Sequence, residues 1–322
     1  METQHKNLTR LYKNISHVIV GKKEAILLTL ATLICRGHLL IEDAPGLGKT
    51  MLARALARSV DIDFKRVQCT PDLLPSDITG VSIYNQKTTC FEFLQGPVFT
   101  NILLTDEINR TTPRTQSSLL ESMAESQVSV DGITYPLPDI FMVIATQNPI
   151  EYHGTYPLPE AQLDRFLMRI NLGYPNLDEE ISILNKQKLH HPIHDLKPVL
   201  NAEMLLQMQQ AVTQIHLDDS VMRYIAEIVH ATRSHEDIEL GASPRGSLAL
   251  MRASQAIAMI AGKDYVDPQR VKQVVLPVLA HRLIVKPQAQ LINKTADDIL
   301  REILNQVPTP MGINETTGAT AS

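Results

Sequence analysis

The stretch Glu42-Asp43-Ala44-Pro45-Gly46-Leu47-Gly48-Lys49-Thr50 joins an apolar run, Leu39-Leu40-Ile41, to a helix-forming run that begins at Met51. A buried strand, a glycine-bearing turn and a helix opening at Lys-Thr form a cradle for the phosphates of a nucleoside triphosphate. Gly46 and Gly48 allow the tight backbone turn that points successive N–H groups at one place. Lys49 is expected on the β- and γ-phosphates, and the Thr50 hydroxyl on Mg²⁺. Ala44, Pro45, Gly46, Leu47, Gly48, Lys49, Thr50 and Met51 are the candidate nucleotide-binding residues. One position departs from the strict pattern: Asp43 stands where the first glycine usually does. Asp tolerates left-handed backbone better than most residues, so the departure is mild.

The rest of the composition narrows the setting. A chain of 322 residues holds a sizeable core and has room for two domains. Its net charge of −5, with both signs interspersed, carries no electrostatic footprint for nucleic acid. Cys35, Cys69 and Cys90 show no paired spacing, which suits a reducing compartment better than a disulfide framework. The N-terminus lacks the apolar stretch of a signal peptide, and the longest apolar run, residues 26–35, is too short to cross a bilayer. That run reads as a buried helix, and the expected location is the cytoplasm.

Up to about residue 175, short apolar runs alternate with helical patterns. Strands are expected at residues 39–42, 64–68, 102–106, 141–146 and 166–170, with a helix at 113–125. Two of these runs are almost wholly apolar, as central parallel strands are. The pattern is that of an α/β domain. Two hairpins interrupt it. Residues 127–136 alternate around Asp131-Gly132, and residues 80–93 alternate around Asn85-Gln86-Lys87. Beyond Tyr174-Pro175-Asn176 helical periodicity takes over, at 178–189, 203–215, 219–234, 244–261, 268–285 and 296–306. Domains are therefore expected at 1–175 and 176–307, followed by a disordered tail at 308–322.

Hydrolysis needs more than a phosphate loop. Ile102-Leu103-Leu104-Thr105-Asp106-Glu107 ends an apolar strand in two carboxylates. Asp106 is placed on the metal and Glu107 on the attacking water; the competing reading is an acidic helix cap. A second buried run ends in Thr146-Gln147-Asn148-Pro149, where Asn148 is the leading candidate for an amide near the γ-phosphate and Gln147 the next. A turn-forming Asn before Pro149 is the structural alternative. Charge on the transferred group also calls for an arginine, and Arg165 and Arg245 are the candidates. The run His190-His191-Pro192-Ile193-His194 has no accompanying Cys and is read as a loop exit, not a metal site. Met204, Met208 and Met222 read as core. Tyr84, Phe91 and Phe93 on the first hairpin admit two readings, a grip on a client or packing on the sheet.

The order and wording of these segments resemble the AAA+ superfamily and, within it, the MoxR-type ATPases. The resemblance runs through residues 42–50, Thr70-Pro71-Asp72-Leu73-Leu74-Pro75-Ser76-Asp77-Ile78-Thr79-Gly80, 104–110, 113–125, 129–137, 145–166, 243–245 and Ala280-His281-Arg282. It implies a P-loop NTPase core, a five-stranded parallel sheet of order 5-1-4-3-2 between helices, with a C-terminal all-α lid. It implies Walker A at Lys49 and Thr50, Walker B at Asp106 and Glu107, sensor 1 at Asn148 and sensor 2 at Arg245. Arg165 would be a finger reaching a neighbouring subunit, and Val20 and Gly21 would lie near adenine. The cofactors implied are ATP and Mg²⁺. The assembly implied is a homo-oligomeric, hexameric ring that remodels protein clients with von Willebrand factor A domain partners, and through them touches membranes at most indirectly. No Asn-Lys-x-Asp element supports guanine. The rivals are a magnesium-chelatase-like subunit and a nucleic-acid motor, the latter disfavoured by the Asp131-Gly132 hairpin tip.

Overall fold

The computed structural model describes residues 2–149, 155–188 and 190–310. The expected tail from residue 311 onward, and residues 150–154 of the segment 145–166, lie outside the described residues, as does Leu189 at the end of the expected helix 178–189.

Five parallel strands form the sheet: Leu39–Glu42, Phe64–Gln68, Ile102–Asp106, Met142–Gln147 and Met168–Ile170. Counted along the chain, their spatial order is 2-3-4-1-5, the same succession as 5-1-4-3-2 read from the other edge. Three strands begin and end where sequence patterning places them. The fourth is shifted by one residue, and the fifth begins at Met168 because Phe166 and Leu167 belong to the turn before it.

Period-2 alternation splits the inner strands between two cores. Leu39, Ile41, Ile102, Leu104, Met142 and Ile144 face one side, where they meet the helices Lys23–Ile34 and Lys49–Val60. Leu40, Leu103, Val143 and Ala145 face the other, against Leu119, Leu120 and Met123 of helix Pro113–Glu125. The first core continues into the C-terminal helices through Tyr224, Leu250, Val271 and Ile299. The edge strand Phe64–Gln68 carries exposed Lys65 and Arg66, which discourage pairing with another chain.

Elsewhere the structure departs from sequence patterning in several places. The segment 268–285 is not one helix. Helix Pro268–Leu279 carries Pro277, which lacks an N–H, and it tightens into a 3-10 turn at Ala280–Arg282. The β-branched Ile284–Val285 then pairs antiparallel with Ile238–Leu240, so the C-terminal part is not purely helical. Helix Ala202–Ala211 likewise gives way to a 3-10 turn before residue 215. An N-terminal helix, Glu2–Val18, was not expected; Leu8, Leu11, Ile15 and Val18 form its buried face.

Both hairpins are present. In the second, Asp131 and Gly132 both take positive φ, +51° and +78°, the geometry that a two-residue connection between twisted strands requires. In the first, Phe93 stacks on Tyr135 of the second hairpin at 4.2 Å between ring centroids. Tyr84 and Phe91 meet edge-on and stay exposed. The aromatic trio therefore divides: Phe93 packs, and the other two face outward. Among the described residues no helix is long and apolar enough to cross a membrane.

His38, at the mouth of the first strand, ties the sheet to helix Pro113–Glu125. Its Nδ1 accepts from the Val143 N–H at 3.0 Å and its Nε2 donates to the Met123 carbonyl at 3.1 Å. That arrangement needs the neutral ring, and burial pushes its pKa down from 6.5 to about 4. Buried His281 is displaced in the same direction, mainly by burial and then by Arg282. The unfolded chain takes up these protons below 6.5 and the folded chain resists them, so stability is complete above that pH and is lost on acidification. At about 1.4 kcal/mol per pH unit, His38 contributes a loss of roughly 3 kcal/mol by pH 4. Chemical denaturation at about pH 7.5 and about pH 4.5 should show this fall, and His38→Gln should flatten it.

Candidate functional site

At the carboxyl ends of the parallel strands, the phosphate loop closes over a cavity of about 380 Å³. Gly46 and Gly48 take φ of +85° and +90°, and a Cβ on either would meet nothing within 4 Å. The glycines are there for backbone conformation, not for space. Gly48 caps helix Lys49–Val60 without any side-chain hydrogen bond, so its first N–H groups remain open to an anion. Lys49 is buried, and its Nζ donates to the Asp43 carbonyl at 2.7 Å. Burial lowers the pKa of its ammonium, while Asp106, Asp43 and Glu107 oppose that shift.

Asp43 has a use that local patterning does not reveal. Its carboxylate accepts from the backbone N–H groups of Leu172 and Gly173, the latter at 3.2 Å. It thereby fastens the phosphate loop to the strand that leads into the C-terminal helices. The residue that looks like a lapse in the motif is a buried clamp.

Pairing of the second and third strands sets Gln68 beside Asp106. Around these positions both carboxylates are hydrogen-bonded. Asp106 Oδ1 accepts from Thr146 Oγ1 at 2.6 Å, and Oδ2 from Arg66 at 2.7 Å. Glu107 sits at φ +59°, a costly conformation for a non-glycine residue, held by its N–H donating to Thr146 Oγ1 at 2.8 Å. Its Oε2 accepts from Gln68 at 2.8 Å and from Arg110 at 3.0 Å. Asn148 is buried and lines the same cavity, together with Lys49, Thr50 and Met51. An uncapped helix N-terminus, a buried lysine and a hydroxyl opposite a carboxylate make a donor set that fits a triphosphate with a divalent cation. Thr50 and Asp106 are the residues that would hold the cation.

Sequence reading missed Arg66, Gln68 and Thr146 as participants. Their signals are weak: two polar residues at i and i+2 on an edge strand, and one threonine closing an apolar run.

A second cavity of about 350 Å³ adjoins the first through Gly46, Gly48 and Met51. Val20 and Leu47 line it, with Ile183, Gln187 and His191 from the segment after the sheet. Gly21 does not line it. Gly21 takes φ +76° and packs against Glu179, whose side chain occupies the place a Cβ would need. Neither Ala44 nor Pro45 lines this second cavity, although Pro45 lines the first. The histidine run gathers no metal-binding group among the described residues: His190 pairs with Asp195, and His191 accepts from the Ile193 N–H.

Arg165 and Arg245 line neither cavity. Arg165 is half-buried and donates to the Leu120 carbonyl at 2.7 Å. Arg245 is exposed in the first turn of helix Pro244–Ile260. The segments that bear them meet, because Ser243 Oγ reaches Asp164 Oδ2 at 3.4 Å.

The clamp makes a specific prediction. Asp43→Gly restores the commoner loop pattern but leaves two amides without their charged acceptor. It should lower stability by about 1.5–3 kcal/mol, read as a fall in Tm without nucleotide. An unchanged Tm would show that the carboxylate does not hold the linker.

Residues 38–168 match the ATPase family associated with various cellular activities (AAA), and residues 230–303 match the AAA lid domain. An uncharacterized protein of Bacillus subtilis (strain 168), YeaC, is 51% identical over 310 residues, 96% of this chain and 97% of its own. Chaperone MoxR1 of Mycobacterium tuberculosis is 40% identical over 312 residues, 94% of this chain and 82% of its own. A crystal structure of a candidate ATPase from Cytophaga hutchinsonii superposes with a TM-score of 0.90 at 37% identity, covering 96% of this chain and 97% of that one. Similarity of this depth, extending from the phosphate loop through the C-terminal helices, shows that the chain belongs to the MoxR-type AAA ATPases.

Proposed function

We propose that this ATPase hydrolyses Mg-ATP at sites shared between like subunits of a ring, and uses the cycle to remodel protein clients. The observation that carries this reading is the division of charged groups. Lys49, Asp106 and Glu107 meet in one cavity with Arg66 and Asn148, whereas Arg165 and Arg245 line neither cavity. Arg66 and Arg110 are spent on the two carboxylates, so a further arginine for the transition state would come from a neighbour. Contacts that join one face to a different face propagate head to tail, and they close into a ring when the rotation permits. A hexamer is the size the family resemblance favours.

Within one site each residue has a task. Lys49 would exchange the Asp43 carbonyl for phosphate oxygens. Arg66 would release Asp106, and a divalent cation held by Asp106 and Thr50 would neutralise phosphate charge. Glu107 would turn from Gln68 and Arg110 to orient water, with Asn148 beside it. Val20, Ile183 and Gln187 would enclose the base. Remodelling of proteins is supported by the name of the relative MoxR1, a chaperone, and by the outward Tyr84 and Phe91. Partners with von Willebrand factor A domains and a cytoplasmic location complete the proposal. A nucleic-acid substrate is disfavoured, since the hairpin connections offer Asp131-Gly132 and a single lysine, Lys87.

Glu107→Gln should keep nucleotide affinity and lose hydrolysis, whereas Lys49→Ala should lose binding. Arg165→Ala should bind normally and turn over about 10³-fold more slowly. Specific activity should rise with protein concentration as subunits assemble. Turnover unaltered in Glu107→Gln, or independent of concentration in a monomer, would refute the proposal.

A further inference from the structure

Outside the nucleotide cavity, Arg282 engages every nitrogen of its side chain. Its side chain is only 3% exposed, although it carries a charge that is costly to bury. Nε donates to Asp164 Oδ1 at 2.8 Å. Nη2 donates to the carbonyls of Phe166 at 2.7 Å and Asp164 at 3.3 Å, and Nη1 to that of Leu167 at 3.2 Å. Nη1 also donates to the Val278 carbonyl, at the end of its own helix. Apart from that bond and one to the neighbouring His281, every donor serves the four-residue turn 164–167. That turn contains Arg165.

The other oxygen of Asp164 accepts from Ser243, the cap of the helix whose second residue is Arg245. Gly246, one residue on, faces the Arg282 side chain, which a Cβ there would approach to 3.6 Å. Asp164 and Arg282 thus stand at the junction of two segments, each bearing one of the two arginines outside the cavities. A burial need alone would be met by an apolar side chain of similar volume. A planar fork that fixes the carbonyls on both sides of Arg165 has a more particular use.

We propose that Arg282, through Asp164, is a positioning residue for catalysis in the adjacent subunit: it locks Arg165 and Arg245 into one rigid face anchored to the C-terminal helices. This rests on the reading that the two arginines act on a neighbour's nucleotide. The lid and the arginine face then move together, so a change at one site is felt at the next.

The test uses full-length chains in mixed oligomers. Arg282→Lys keeps charge and loses the fork. It should retain affinity for a fluorescent ATP analogue and lose turnover by on the order of 10- to 100-fold, the cost of a displaced catalytic group. Asp164→Asn, which perturbs the same hub with little change of volume, is the second variant should the first fail to fold. Glu107→Gln is inactive at its own site but keeps its arginine face. Mixed in equal amounts with either variant, it should restore activity toward about a quarter of wild type, the share of interfaces that join an intact site to an intact face. A merely misfolded Arg282 variant would gain nothing from the mixture. Arg165→Ala mixed with Glu107→Gln is the control. Recovery in the control without recovery for the Arg282 and Asp164 variants overturns this proposal. Failure of the control as well removes the shared site and this proposal with it. Undiminished turnover in Arg282→Lys also overturns it.

Discussion

Parallel pairing of the strand Leu39–Glu42 between Met142–Gln147 and Met168–Ile170 is the constraint on which the rest of this molecule depends. Parallel strands end on the same edge, so everything that follows a strand is delivered to one side. Glu42 pairs with Gln147, which brings the phosphate loop alongside Asn148. Ile41 pairs with Ile170, which brings Asp43 within reach of the amides at 172 and 173. The next pairing outward sets Asp106 beside Thr146 on one hand and Gln68 on the other. These strands are held in that order by apolar faces that alternate between two cores, and a one-residue slip would exchange the faces.

Charge at this edge is organised before any ligand arrives. Asp106 and Glu107 are matched by Arg66 and Arg110, and Lys49 lies within the field of three carboxylates. A highly charged triphosphate with its cation would enter by replacing these pairings, not by filling a neutral pocket. Such an exchange would keep the part-buried carboxylates partnered in both conditions. Gln68 and Arg110 both engage Glu107 Oε2, and the left-handed backbone at Glu107 adds local strain.

Two buried ionic groups connect the edge to the remainder of the fold. Asp43 fastens the loop to the linker that leads into the C-terminal helices, and Arg282 fastens those helices to the turn bearing Arg165. One lies at each end of the strand Met168–Ile170, so this short strand carries both attachments. A continuous apolar core beneath it packs the strand against the helices.

Much of this architecture is written locally. The phosphate loop, the carboxylate pair after an apolar strand, the Asp131-Gly132 turn and the helix starts at Pro244 and Pro268 depend on neighbours within a few residues, and backbone preference alone makes them legible. Family resemblance added the strand order, which periodicity cannot supply. What the tertiary structure decided is which distant polar groups meet. Arg66 finds Asp106 across 40 residues, Asp43 finds Leu172 across 129, and Arg282 finds Asp164 across 118. An aspartate or arginine in isolation gives no sign of its partner, because surface and buried charges look alike until burial makes an unpaired one intolerable. Even the helix expected to run to residue 285 yielded to that logic. Pro277 and the strand pairing at Ile284–Val285 break it, and the break places Arg282 where its guanidinium can reach the turn around Arg165.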